Sequence, residues 1–253
     1  MTTVPERKRL FLDIETSQML VWVWSLNDPA NQHISHLNIE KEPGIICIAW
    51  KWAGKKKVSH LTWDENQNAK KMLVEFAPLL ESADEIIVHN ANFDIKWIRG
   101  QCLINRVLIS PKLPSVCTLQ HLRQKMRLPS NRLDYVQKVA VGEGKRASGL
   151  PLWHAIQRDN CPKAMAKMVR YCKGDVIGLE KVYDWMAPWI EPKTSVARYR
   201  GDCPECGGSR IGTHDERVTA AGAVNIRLRC YDCGKSFTMG KAAFLRGAKI
   251  QRG

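Results

Sequence analysis

The sequence predicts an α/β domain followed by a small module built around four cysteines. Three observations carry this reading. Short apolar runs alternate with helical stripes over the first 190 residues, the signature of strands mixed with helices. All nine tryptophans fall within that stretch, so it owns the large apolar core. Behind it, four of the nine cysteines form two C-x-x-C pairs. A chain of 253 residues has room for one domain of ordinary size and a small second one.

The elements follow in order. Leu10-Phe11-Leu12 is an apolar run leading into Asp13, a buried strand. Residues 20–25 and 45–52 read as further strands, and 57–63 as a fourth, with Lys55-Lys56-Lys57 as a polar hairpin turn. Residues 65–81 place Ala69, Met72, Leu73, Phe76, Leu79 and Leu80 on one helical face. Ile86-Ile87-Val88 is a short strand ending at His89-Asn90, and the pattern turns helical after Asp94. The rest of this part reads as mostly helical, with a last long helix from about Pro162 to Trp185. Glu191-Pro192-Lys193-Thr194-Ser195 is polar and broken by proline, a linker. The resulting division is 1–190 for the α/β domain, 191–202 for the linker, 203–240 for the cysteine module and 241–253 for a basic tail.

Composition narrows the function. Hydrophobic residues make up 44% and charged residues 25%, which excludes a disordered or fibrous chain. No run approaches the ~20 apolar residues of a membrane span. The N-terminus carries charges where a signal peptide has its apolar region, so the expected location is cytoplasmic. Thirty-nine basic residues against 25 acidic leave a net charge of +14, which favours a polyanionic partner, most often nucleic acid. From residue 192 onward, 12 basic and 5 acidic residues leave +7, as much as the first 191 residues carry over three times the length.

Five cysteines, at 47, 102, 117, 161 and 172, are scattered singly and read as reduced thiols. The others form Cys203-Pro204-Glu205-Cys206 and Cys230-Tyr231-Asp232-Cys233, 23 residues apart. Without a secretory context, metal binding explains such pairs better than disulfides. Four thiolates suit one tetrahedral Zn²⁺ and leave no open position, so the ion is structural. Gly207 and Gly234 allow the tight turn after each pair. Val224–Arg229 alternates as a strand, and Ser236–Thr238 would pair with it, giving a zinc ribbon. Arg227, Arg229 and Lys235, with Lys241, Arg246, Lys249 and Arg252 in the tail, are candidates for nonspecific phosphate contacts. Protein docking is the alternative use of such a ribbon.

Three acidic motifs carry the chemistry. Asp13-Ile14-Glu15-Thr16 ends the first strand, where residues two apart share a face. Asn90-Ala91-Asn92-Phe93-Asp94 lies at a strand-to-helix turn. Tyr171 and Asp175 are four apart on the last long helix and also share a face. In α/β sheets, ligand sites gather where strands end. Four converging carboxylates repel one another at neutral pH, and Mg²⁺ or Mn²⁺ would relieve that repulsion. A basic protein with an acidic pocket suits metal-assisted attack on a phosphodiester.

The ordered set D-x-E, N-x-x-F-D and Y-x-x-x-D resembles the three exonuclease motifs of the DEDD superfamily, 3′→5′ exonucleases with an RNase H-like fold. The tyrosine before the last aspartate resembles the DEDDy branch. Asp94 follows Glu15 by 79 positions and Asp175 follows Asp94 by 81. The segments LPSNRLDYV (128–136), GLPLW (149–153) and MVRYCKGDV (168–176), with a ribbon behind, are similar to a phage-type group of DEDD nucleases. Two positions depart from the pattern: Gly174 inside the helix, and Cys117 where many members have aspartate.

The resemblance implies a mixed central sheet flanked by helices and a metal-dependent 3′→5′ exonuclease. Asp13, Glu15, Asp94 and Asp175 would hold two Mg²⁺ or Mn²⁺ ions. Tyr171 would orient the attacking water. Asn90 would support Asp94 and the terminal nucleotide. Apart from the resemblance, the glycine-rich and basic composition of 142–149 reads either as a loop whose Lys145 and Arg146 meet the phosphate backbone or as an ordinary solvated loop. Single-stranded 3′ ends are the expected substrate, with DNA favoured over RNA. A polymerase or other replication protein is a possible partner, and a phage-encoded chain would act in the host cytoplasm. The alternatives are a non-catalytic RNase H-like module that holds nucleic acid or assists a polymerase, and an endonuclease on branched or hybrid substrates.

Overall fold

A computed structural model describes residues 7–24, 34–142 and 149–250. Its main sheet has five strands in the order β5-β4-β1-β6-β7. β1 (Arg9–Thr16), β4 (Ile45–Trp52) and β5 (Ser59–Thr62) form an antiparallel meander, while β6 (Glu85–Val88) and β7 (Ser115–Cys117) run parallel to β1. α1 (Lys70–Glu81) and α2 (Ala91–Ile104) cover one face. α3 (Thr118–Lys125), α4 (Leu133–Val141), α5 (Leu150–Gln157) and α6 (Pro162–Met186) cover the other. This is the mixed, helix-flanked sheet expected of an RNase H-like fold.

The period-2 rule sets the faces of β1. Leu10, Leu12 and Ile14 pack against α1 and α2, whereas Phe11 packs against α6. Asp13 and Glu15 therefore share the α6 side of the sheet. β1 pairs with β6 only from Arg9↔Glu85 to Phe11↔Ile87. Past that point the two parallel strands part, and the end of β1, still paired with β4 on its other side, leaves a crevice toward β6.

Several elements differ from the sequence expectation. The strand over 20–25 shrinks to β2 (Leu20–Val21), which pairs with β3 (Ile39–Lys41) outside the main sheet. Its alternating residues have no sheet to bury against, and Trp22 and Trp24 are exposed; residue 25 lies outside the described residues. The helix expected from 65 begins at Lys70, because the Asp64 carboxylate accepts hydrogen bonds from the amides of Asn66 and Asn68 and folds that stretch into a turn. β7 has only three residues, too few for a period to show.

The cysteine module is a three-stranded antiparallel sheet, β8 (Ile211–Val218), β9 (Val224–Cys230) and β10 (Ser236–Gly240), followed by α7 (Lys241–Ile250). β9 and β10 pair as the alternation suggested. β8 went unread because its sequence, IGTHDERV, is polar on both faces. Among the described residues, no helix is long and apolar enough to cross a membrane.

Charged side chains join this module to the main sheet. The Glu85 carboxylate at the start of β6 is fully buried. It accepts from Arg9 at 2.8 Å and from the backbone amides of Lys193 and Thr194 at 2.6 and 3.3 Å, and pairs with Arg7 at 3.7 Å. Glu205, inside the first cysteine knuckle, takes both arginines at 2.9 and 2.6 Å. Burial opposes ionisation of Glu205, but Arg9 and Arg7 outweigh it and hold the carboxyl below the usual range. Lys235, just after the second knuckle, donates to the carbonyls of Ala187 and Ile190. This corrects its reading as a phosphate contact: Lys235 is a buried strut. Arg227 is likewise engaged, by Asp215 at 3.0 and 2.7 Å, and Lys241 by Glu216 at 2.7 Å. Arg229 and Arg246 are exposed, while the side chain of Lys249 and all of Arg252 lie outside the described residues.

Candidate active site and metal centres

The structure brings Asp13, Glu15 and Asp175 together: one carboxylate oxygen from each lies within 4.8 Å of the others. Two come from the end of β1 and one from the middle of α6, which crosses that face of the sheet. Hard oxygen donors at this spacing fit a cation of the Mg²⁺ or Mn²⁺ type.

Asp94 lies outside this mutual 4.8 Å set but close enough for the charge of Asp175 to act on it. It lies in the first turn of α2, is buried, and receives backbone hydrogen bonds from Ile14 and Asn90. Its carboxylate thus occupies the crevice where β1 parts from β6. Burial pushes its pKa up to about 7; the backbone hydrogen bonds oppose this, and the charge of Asp175 adds to it. Burial is the main reason this carboxyl resists ionisation, and a nearby cation would favour its charged form.

Tyr171 is half-buried one turn before Asp175 on the same helix. Asn90 precedes α2, and its backbone carbonyl accepts from the amide of Asp94 at 3.1 Å. Its exposed side chain makes no capping bond. Lys145 and Arg146 lie outside the described residues. Both ring nitrogens of His89 are engaged, at 2.9 Å from the Thr118 hydroxyl and 2.8 Å from the Asn131 carbonyl. It ties the end of β6 to neighbouring segments.

Sequence reasoning missed several supports. Cys172 is fully buried, and burial together with the neighbouring Cys47 holds its thiol well above the usual range. The neutral thiol donates to the Asp13 carbonyl at 3.3 Å and to Asp13 Oδ2 at 3.4 Å. The indole of Trp153 donates to the Thr16 carbonyl at 2.9 Å, and Gln157 exchanges two 3.0 Å bonds with the backbone of Gln18. The Cys117 sulfur accepts from the amide of Gln120 at 3.4 Å and caps α3. Each of these residues lies in or beside a quoted motif, but its partner is set by the tertiary fold.

Gly174 is exposed within α6, and a Cβ built on it meets nothing within 4 Å. Gly174→Ala is therefore expected to stabilise the protein by about 0.5–1 kcal/mol, through reduced backbone entropy in the unfolded chain. A urea titration showing a higher midpoint at unchanged slope would bear this out; a lower midpoint would contradict it.

The four module cysteines also form a compact set. Cys203 and Cys233 sulfurs are 3.6 Å apart, as are those of Cys206 and Cys230, and all four lie within 4.8 Å of one another. A tetrahedron with bonds of about 2.3 Å has edges of about 3.8 Å, so the cage fits zinc. Gly207 and Gly234 adopt φ of 70° and 76°, and their amides bond back to the Cys203 and Cys230 carbonyls at 2.8 and 3.0 Å.

A sequence model of the RNase H superfamily matches residues 10–187. The chain belongs to that superfamily. Among solved structures it is similar to the family B DNA polymerase of the hyperthermophilic archaeon Pyrobaculum calidifontis. The TM-score is 0.54 at 13% identity, over 73% of this chain and 25% of that one. The chain thus spans a quarter of the polymerase, and at this identity the likeness establishes the shared fold. Comparison with curated proteins finds no match.

Proposed function

We propose that the protein is a metal-dependent 3′→5′ exonuclease acting on single-stranded nucleic acid, with DNA favoured, in the tyrosine-bearing branch of the DEDD nucleases. The convergence of Asp13, Glu15 and Asp175 from β1 and α6, with buried Asp94 close to Asp175, carries this reading. Superfamily membership supports nuclease chemistry, and the net charge of +14 supports a polyanionic substrate. The fold shared with a family B DNA polymerase fits a role beside a polymerase.

Asp13, Glu15, Asp94 and Asp175 would hold two Mg²⁺ or Mn²⁺ ions. When bound, these supply a water of lowered pKa and offset the charge that develops on the phosphate. The protein's own groups do the positioning. Cys172 holds the Asp13 carboxylate through Oδ2. Trp153 anchors the end of β1, so Asp13 and Glu15 keep their spacing. Tyr171, one turn from Asp175, would hydrogen-bond the attacking water and hold it in line with the phosphorus. The four thiolates would hold one structural zinc ion.

The test is degradation of matched single-stranded DNA and RNA oligonucleotides labelled at the 5′ end, with Mn²⁺ present. A ladder shortened stepwise from the 3′ end, faster on DNA, is expected. A labelled mononucleotide as first product would reverse the polarity, and cleavage of a circular single strand would make the enzyme an endonuclease. An uncut oligonucleotide would leave a binding module.

A further inference from the structure

A cleft of about 970 Å³ runs between the outward face of α2 and the segments 42–44 and 66–69. Its lining is linked to the acidic residues at two points. Phe93 immediately precedes Asp94, and Gly44 exchanges hydrogen bonds of 2.8 and 2.7 Å with Ser17, two residues beyond Glu15. From Asn92 to Asn105 its α2 wall runs about 20 Å at 1.5 Å per residue.

The lining is unusual for so basic a protein. Among the described residues it holds a single cation, Lys96, and a single acid, Glu42. Most of the other side chains are amides and the two aromatic rings, with Pro43, Ala69 and Ile104 between them. Phe93 and Trp97 lie one helical turn apart with ring centroids 6.1 Å from each other, and both face the cleft. Asn66, Asn68 and Asn92 are exposed around them. The side chains of Asn66 and Asn92 make no hydrogen bond among the described residues.

A groove built to follow phosphates would be lined with lysine and arginine. A groove lined by rings and amides offers stacking faces together with groups that both donate and accept, which is the chemistry of a nucleobase. Only a single strand presents both base faces and base edges. We therefore propose that this cleft binds the bases of the single strand leading into the acidic cluster. The bases turn inward onto Trp97 and Phe93, their edges meet Asn66, Asn68 and Asn92, and the phosphates turn outward with Lys96 beside them. This rests on the nuclease reading of the acidic site and adds where the rest of the substrate lies. Because an amide can present either a donor or an acceptor, binding tolerates any base sequence.

The test measures binding of a 5′-fluorescein-labelled twelve-residue oligothymidylate by anisotropy, in an Asp175→Asn background that prevents hydrolysis. Trp97→Ala is expected to raise Kd about tenfold or more, the range of one lost base–aromatic stack. Trp97→Phe should recover most of that loss. The Asn66→Ala/Asn68→Ala pair, at exposed positions, should also weaken binding and serves as the check if Trp97→Ala proves unstable. Unchanged Kd in both Trp97→Ala and the asparagine pair would overturn the proposal, and would leave a protein segment as the cleft's occupant. Competition by inorganic polyphosphate as effective as by unlabelled oligonucleotide would also overturn it, since charge alone would then account for binding. The outcomes separate the two readings. Trp97-dependent binding by a wild-type protein that cuts nothing would refute the nuclease and keep the cleft. Cutting by a protein whose binding ignores Trp97 would do the reverse.

Discussion

Asp175→Asn is expected to lower hydrolysis by at least about 10³-fold while leaving the fold intact. The substitution keeps the shape of a side chain buried on α6 and removes one charge from the cluster with Asp13 and Glu15. Stabilisation of developing phosphate charge by bound cations amounts to several kcal/mol, and each ~1.4 kcal/mol is tenfold in rate. Asp13→Asn should act alike. The sign of the stability change separates catalysis from structure. In metal-free protein, burial raises the pKa of Asp94 and the charge of Asp175 adds to this, so these two acids repel. Removing that charge should leave the melting temperature in EDTA equal to wild type or higher. A variant that both loses activity and melts well below wild type would instead mark Asp175 as a structural residue.

Glu85→Ala is expected to cause the largest loss of stability, about 3–5 kcal/mol. Glu85 is fully buried; three donors converge on it, Arg9 and the amides of Lys193 and Thr194, and Arg7 adds an ion-pair contact at 3.7 Å. Truncation leaves two buried amides without their acceptor and removes one of the two carboxylates that balance Arg7 and Arg9, leaving Glu205 alone against both, a situation close to breaking a buried ion pair. At roughly 2–4 °C per kcal/mol for a chain of this size, the melting temperature should drop by about 10 °C. Glu85 joins the first strands of the main sheet to the segment leading into the cysteine module. Limited proteolysis of the variant should therefore release a fragment carrying the four cysteines. A melting temperature within a degree or two of wild type would show that the network is worth little.

What could be read from the sequence divides along physical lines. The acidic motifs were legible because each has a fixed local spacing: two on a strand for Asp13 and Glu15, four on a helix for Tyr171 and Asp175. The cysteine cage was legible for the same reason. The crevice that receives Asp94 was not, because it depends on where β1 and β6 stop pairing, a property of two strands far apart in sequence. Lys235 was misread as a surface charge because only the fold reveals that the carbonyls of Ala187 and Ile190 surround its ammonium. Cys172 looked like one more core thiol, since nothing in Tyr171-Cys172-Lys173 says that its sulfur meets Asp13. The cleft along α2 was invisible for a related reason: Asn66 and Asn68 were read as the start of a helix over 65–81, and their nearness to Trp97 exists only after folding.

The central claim is that acids from β1, α2 and α6 form one cation site. Calorimetric titration of Mn²⁺ into chelator-treated protein, with the cysteine cage kept loaded with zinc, tests it most directly. Two ions bound per wild-type chain, and loss of at least one in Asp13→Asn and in Asp175→Asn, is the expected result. Equal Mn²⁺ uptake by wild type and both variants, or none by wild type at millimolar Mn²⁺, would contradict it.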